Sequence, residues 1–378
     1  MGLFNFKKTK STVAVVDVRS SSIGAAYVLV EEGVVPVMVH YVRFPLEPHA
    51  TEPFEETFTR TMDGVLSALI ERGGPLLRNA TGSGSVDSVR VSCTTPWSSS
   101  YVRSEVIEKD VPFIYSRALG DKTDEQKLPD MKQVSEMVIA TLLNGYEITN
   151  PVGKKAKRAE SFVLSSFIRT DLMDLLRKKI RKAFHQGDIE FDAFMPELYA
   201  VTRDLYPHQR DFLVLDVGNE ATDILLVKHG LLVSITSLPH GIAEILRAAR
   251  GAGLSSPTVP LAGPSSMIDS ARNSAFATSV ADAQAIWIGQ MKSSLLAIAK
   301  LEPLPRTVLL LADENNREFL RRLLDAPELR SLWLSDESLG VLPILPAQFA
   351  PFVELPPQVV GDASLSLLAL AAAKRFRG

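Results

Sequence analysis

The sequence predicts an α/β protein in which one structural unit is built twice, and three observations carry this. The stretch Val13–Pro45 holds an apolar strand ending in Asp17, a polar turn at Arg19, Ser20, Ser21 and Ser22, a strand Ile23–Val30, a Gly33 hairpin and a third strand Val34–Val42. The stretch Phe212–Pro239 repeats that order: a strand ending in Asp216, a turn through Gly218, Asn219, Glu220 and Ala221, a strand Asp223–Val227, a turn at Gly230 and a strand Leu231–Ser237. Short runs of Val, Ile and Leu bounded by turn residues are strand signals. The chain is 378 residues long, too long for one compact core, so two or more domains are expected. Two unrelated hairpins would give the same local pattern. The shared order and similar spacing of Asp and Gly favour an internal duplication.

The remaining elements follow in order. Met1–Lys10 mixes Leu3, Phe4 and Phe6 with Lys7, Lys8 and Lys10, which reads as a disordered terminus or a weak contact with an anionic membrane. Phe54, Phe58, Met62, Val65 and Leu69 recur at helical spacing, predicting a helix over Glu52–Arg72 that Gly73, Gly74 and Pro75 stop. Thr81–Ser85 reads as a loop, Val86–Thr94 as a strand and Tyr101–Asp110 as another. Asp130–Leu143 reads as a helix with Met131, Val134, Met137, Val138 and Leu142 on one face. Asn144–Glu160 holds Lys154, Lys155, Lys157 and Arg158 and reads as a solvated loop or a site for phosphate or an acidic partner. Ser161–Ile168 is a predicted strand, followed by a Thr170-capped helix to Phe184 that Gly187 ends. Ile189–Ala193 is a predicted strand and Pro196–Leu205 a helix. Beyond the second hairpin the expectations are a helix to Arg250, a Gly/Ser/Pro-rich insertion at Gly251–Ser266 and a helix Ala281–Ala299. A strand Thr307–Leu311, a polar loop Asp313–Asn316 and a last helix capped by Asp362 complete the chain.

Composition narrows the function classes. The chain is 46% hydrophobic and 22% charged with a net charge of −3, an ordinary globular balance that argues against nucleic-acid binding. A single cysteine, Cys93, forms no intramolecular disulfide and fits a reducing compartment. No apolar run reaches the roughly 18–20 residues a transmembrane segment needs, so a cytoplasmic location is expected. The six histidines show no paired metal-ligand spacing.

Taken together, the two Asp-turn hairpins, Pro239-His240-Gly241 and the late strand–loop–helix resemble the actin-like ATPase superfamily, in its FtsA/PilM branch and closest to PilM. VAVVDVRSSSIG resembles the phosphate-1 strand and turn, and LVLDVGNEATDILLVKHGLLVSITSLPHGI resembles the phosphate-2 segment. The resemblance covers nearly the whole chain. It implies a duplicated, ribonuclease-H-like two-lobed fold with an inserted SHS2-like subdomain: residues 1–100 with 360–378 as one lobe, 101–190 as the insertion and 191–359 as the other lobe. A mobile insertion at 251–280 and an adenosine loop at 312–316 belong to that second lobe. ATP and Mg²⁺ would sit between the lobes, with Asp17 and Asp216 holding Mg²⁺ through water. Ser20, Ser21, Ser22, Gly218, Asn219, Thr222 and Gly241 would line the nucleotide. The bland alternative is that Asp17 and Asp216 only cap turns.

Three departures from the family pattern bear on catalysis. Arg19 stands where the first phosphate turn has glycine. Met195-Pro196 stands where a Glu-Pro would supply the carboxylate that orients water, and a thioether is no base. No glycine lies between Thr307 and Ala326, where the adenosine loop is expected. The resemblance therefore implies a non-hydrolysing scaffold of type IV pilus assembly, peripheral to the inner membrane, that binds an N-terminal cytoplasmic peptide of a membrane-anchored, PilN-like partner. Its alternatives are an FtsA-like division protein that self-associates into filaments, and a working ATPase or kinase.

Overall fold

A computed structural model describes residues 10–47, 52–116, 128–185, 187–251, 270–333, 339–356 and 361–377. The first sheet opens with the antiparallel strands β1 (Lys10–Val18), β2 (Ser22–Glu31) and β3 (Val37–Pro45). Helix α1 (Phe54–Ala68) runs through a π turn at Leu69–Gly73 into α2 (Gly74–Thr81), and β4 (Ser88–Cys93) then pairs parallel to β1. Next come β5 (Ser98–Ile114), β6 (Met131–Leu143), β7 (Tyr146–Glu147) and β8 (Lys155–Arg169), which form a separate antiparallel sheet ordered β5-β8-β6-β7. Helix α3 (Thr170–Phe184) leads to β9 (Ile189–Ala193), which rejoins the first sheet beside β4.

Helix α4 (Phe194–Leu205) then delivers the chain to the second hairpin unit, β10 (Phe212–Val217), β11 (Thr222–Lys228) and β12 (Leu231–Leu238). It continues through α5 (Ala243–Gly251), α6 (Ser270–Ala299), β13 (Thr307–Ala312), α7 (Glu314–Leu324), α8 (Pro327–Arg330), β14 (Gly340–Pro343) and α9 (Ala363–Arg377). The two large sheets have matching orders, β3-β2-β1-β4-β9 and β12-β11-β10-β13-β14, with matching strand directions. The duplication read from the two hairpins is therefore present in the topology.

Strand alternation sets the layers. Val13 and Val15 of β1, with Phe212 and Val214 of β10, point into a central core filled by α4 and α9. Ala14, Val16 and Val18 point the other way, onto α1 and α3, while Leu213 and Leu215 meet α5, α6 and α7. Both large sheets are thus covered on both faces, which is why their strands read as continuous apolar runs. Asp17 and Asp216 share parity with the inward-facing valines. Both carboxylates therefore project into the layer between the sheets.

Several expectations are corrected. Residues 131–143 form strand β6, not a helix. Its ladder slips between Gln133 and Ser135 and between Val138 and Ala140, and each bulge shifts the alternation by one. Apolar residues consequently fall three and four apart, imitating a helical face. Gly73 does not stop the first helix: the π turn carries the chain past it, and Pro75 sits in the first turn of α2, where its missing N–H costs nothing. Lys155, Lys157 and Arg158 lie on β8 rather than in a loop. Arg169, not Thr170, flanks the start of α3, and His185 with φ 52° ends it before Gly187 is reached. Residues 314–316 open α7, and residues 270–280 are helical. Residues 1–9 and 252–269 lie outside the described residues.

Candidate functional site

Asp17 and Asp216 occupy equivalent penultimate positions in β1 and β10. The register places Asp17 beside Ser92 and Ser92 beside Asp192, a polar row across the first sheet. Asp216 stands opposite Asp223 in the second. Both predicted metal carboxylates are buried, and each meets a guanidinium from the chain itself. Arg43 of β3 donates from Nη2 to Asp17 Oδ2 at 2.6 Å, from Nε to Asp362 Oδ2 at 2.5 Å and from Nη1 to Ser22 Oγ at 2.9 Å. Arg19 pairs with Asp216 through Nη2, reaches Ser364 Oγ from Nη1 at 3.3 Å, and lies 4.9 Å from the centroid of the Phe194 ring.

The electrostatics follow from burial. Loss of water pushes the Asp216 carboxyl up to about 6, although Arg19 opposes the rise. Burial also disfavours ionised Asp362, but Arg43 more than offsets it and holds that carboxyl below its usual range. For Arg19 and Arg43, burial disfavours the charge. The surrounding aspartates outweigh it and raise both above the ordinary guanidinium value.

The second turn is equally committed. Asn219 N–H donates to Ser20 Oγ at 3.1 Å, and Glu220 N–H donates to the same oxygen at 3.4 Å. Two successive N–H groups of this kind form an anion nest, and here a serine hydroxyl from the other sheet fills it. The turn carbonyls of Gly218 and Asn219 accept from Ile242 N–H at 3.1 Å and Ala243 N–H at 2.9 Å, so the start of α5 is also occupied. Gly241 must be glycine, because a Cβ there would lie 2.1 Å from Asn219 O. Thr222 Oγ1 turns away to donate to His240 O at 2.8 Å.

Of the residues singled out in the sequence, Asp17, Ser20, Ser22, Asp216, Gly218 and Asn219 thus converge. Thr222 and Gly241 brace the turn. Ser21 lines the cleft beside it. Sequence reasoning missed Arg43 and Asp223 and saw Asp362 only as a helix cap. A signal for Arg43 exists: it sits directly across from Gly24 in the register, and a Cβ on Gly24 would come within 2.8 Å of its guanidinium.

A cavity of about 1180 Å³ opens between the sheets, with Ser20, Ser21, Asn219 and Glu220 on its floor. Its walls carry Glu47, Glu52, Asp313 and Glu314, against Arg247, which reaches Glu220 at 3.5 Å. A polyphosphate entering here would meet more carboxylates than cations. The nest it would use is filled and each aspartate already pairs with an arginine, Asp17 through Oδ2 with its Oδ1 buried and unpartnered. Glu197, beside Met195-Pro196, faces elsewhere: its Oε2 accepts from Ser92 Oγ at 2.9 Å, and Arg375 approaches it at 3.8 Å. Among the described residues, no group of three or more His, Cys, Asp or Glu side chains is placed to hold a metal. These residues do not fit a Mg²⁺–nucleotide.

The architecture is shared with a solved structure. The chain superposes on the PilM–PilN type IV pilus biogenesis complex with a TM-score of 0.55 at 13% identity, covering 98% of this chain and 99% of that one. A Bacteroides thetaiotaomicron protein described as having an actin-like ATPase fold and unknown function aligns over 97% of this chain and 99% of its own, at 10% identity and a TM-score of 0.44. The chain has the actin-like ATPase fold. No family model and no curated protein matches its sequence.

Proposed function

We propose that this chain is a PilM-like, non-hydrolysing scaffold of type IV pilus assembly at the cytoplasmic membrane face. One observation carries the reading: Arg43 and Arg19 stand against Asp17 and Asp216, where a nucleotide's metal would have to bind. In this reading the two large sheets are the cores of two lobes, closed on each other by protein groups, and the β5–β8 sheet is the inserted subdomain. That subdomain receives an extended peptide from a membrane-anchored, PilN-like partner. Strand β6 supports this, because along Met131–Ala140 its ladder runs only to β8 among the described residues and its other edge carries no strand partner. An extended segment adds to such an edge by main-chain hydrogen bonds. A recess of about 240 Å³ between β6, Ile148, Pro151 and Arg203 of α4 lies alongside. Calorimetry tests both halves. Mg-ATP is expected to release no heat, and the cytoplasmic N-terminal peptide of a co-encoded membrane pilus protein is expected to bind. Heat with ATP that disappears in Asp216→Ala would show an open nucleotide site and remove the observation that carries the reading, and phosphate release would overturn its non-hydrolysing half; a peptide without affinity would overturn the scaffold half.

A further inference from the structure

Beside the recess at Ile148 and Pro151, the tip of the β5–β8 sheet carries exposed side chains that do not line that recess. Its most exposed large apolar side chains are Tyr146 at 75%, Val111 at 70%, and Ile114 and Val152 at 58% each. They come from the end of β5 (Val111 and Ile114), from β7 (Tyr146) and from the turn before β8 (Val152). Ile114 is directly paired with Lys155, Tyr115 N–H donates to Lys154 O at 2.9 Å, and the Asn144–Gly145 turn before Tyr146 is tied to β8 by Lys157 N–H donating to Asn144 Oδ1 at 2.9 Å. A small internal cluster of Tyr115, Leu143, Ala156 and Ala159, with Phe113 and Ile148, holds the tip together beneath them. The exposed residues therefore stand outward on a framed support.

Basic residues surround this apolar set. Lys154, Lys155 and Lys157 are exposed, and among the described residues they pair with no carboxylate. Over residues 108–115 and 144–160 the cations are Lys109, Lys154, Lys155, Lys157 and Arg158, and the anions are Asp110, Glu147 and the two partners of Arg158, Glu108 and Glu160. That excess is positive in a chain whose net charge is −3.

We infer that this tip docks directly on an anionic lipid bilayer, the aromatic and aliphatic side chains entering the headgroup boundary and the lysines meeting lipid phosphates. The composition favours lipid over protein. Lysine is depleted in protein–protein interfaces, whereas unpaired lysines beside exposed apolar side chains match an anionic membrane surface, where charge and apolar burial add. None of the four apolar residues lines the neighbouring recess that a protein segment would fill. A direct contact of this kind is independent of the partner peptide.

The test is co-sedimentation of the full chain with phosphatidylglycerol/phosphatidylethanolamine vesicles and, in parallel, with neutral phosphatidylcholine vesicles. Binding to the anionic vesicles alone, weakening with salt, is expected. Replacing Lys154, Lys155 and Lys157 by Glu together should lower the partition coefficient by more than about tenfold. Val111→Ser with Tyr146→Ser should weaken it while leaving the salt dependence in place. Circular dichroism of both variants confirms the fold, and peptide binding measured on them separates this inference from the scaffold reading. No binding by the native chain overturns the inference. So does equal binding by the triple Lys variant, which would move the contact elsewhere, for instance to Lys7, Lys8 and Lys10. A lipid-free dimer that the triple variant loses would also overturn it, in favour of an interface between copies.

Discussion

Glu197 shows how far a single side chain can be taken from the position its sequence neighbours imply. It follows Met195-Pro196, where the resemblance leads one to expect Glu-Pro, yet its carboxylate turns to Ser92, Asp192 and Arg375 in the first sheet's polar row. Burial, then the nearby Asp192, push its carboxyl up to about 8 from an ordinary 4.5, against the opposing pull of Arg375 and Ser92. A carboxyl raised on folding holds its proton more tightly in the native state. Its stabilising contribution is complete below about 4.5 and is lost as the pH rises through about 8. We expect urea unfolding to show native stability falling between pH 5 and pH 9, with Glu197 supplying on the order of a few kcal/mol of the fall. Glu197→Gln, which mimics the protonated form, should flatten that part of the profile. Equal slopes for the two proteins would reject the assignment. At this scale the sequence was legible where backbone geometry decides, as at Asp17, Asp216 and Gly218. Where partners come from far along the chain it was not: Arg43 and Asp362 are 319 positions apart, and no local pattern announces their meeting.

The hairpin elements were legible because burial on both faces leaves an unbroken apolar run between turn residues. Strand β6 was not, since two bulges reset its period and gave it the spacing of a helix. The first helix outlasted its glycines because a π turn absorbs them. Helix α9 was foreseen together with its cap, and Leu365 N–H does donate to Asp362 Oδ1 at 2.8 Å. What could not be foreseen is that the same carboxylate also anchors Arg43. The two roles separate by substitution. Asp362→Asn keeps a good capping side chain but removes the charge opposite a buried guanidinium, a loss of about 3 kcal/mol. Asp362→Ala should cost a further ~1 kcal/mol from the cap. Urea midpoints at neutral pH give both differences. If the Asn variant unfolds like the native chain, Arg43 does not need Asp362, and the packing of α9 against the first sheet rests on its apolar face alone.

Across the whole molecule, the two large sheets are bridged by the chain's own groups. Arg19 meets Asp216, Ser20 fills the Asn219–Glu220 nest, and Thr95 Oγ1 donates to Asp223 Oδ1 at 2.8 Å. In a nucleotide-governed relative of this fold such bridges would pass through phosphate and metal, and closure would follow ligand occupancy. On the scaffold reading, closure is a property of the folded chain. Its test is a distance. Glu47 and Asn315 both line the cavity, and labels placed on Cys substitutions there report its width by electron–electron spin resonance. The native Cys93 is buried, and burial pushes its thiol up, so it stays unlabelled. One narrow distance distribution, the same with and without Mg-ATP, is expected for the native sequence. Removing the bridges with Arg19→Gly and Ser20→Gly should broaden the distribution and lengthen its mean. A native distance that contracts with Mg-ATP would mean the cleft still answers to nucleotide. A double variant that stays narrow would mean the central core around α4 and α9 holds the sheets without these contacts. In either case the arginines at Asp17 and Asp216 would be bystanders, and the scaffold reading would have to rest on the third sheet and its peptide edge alone.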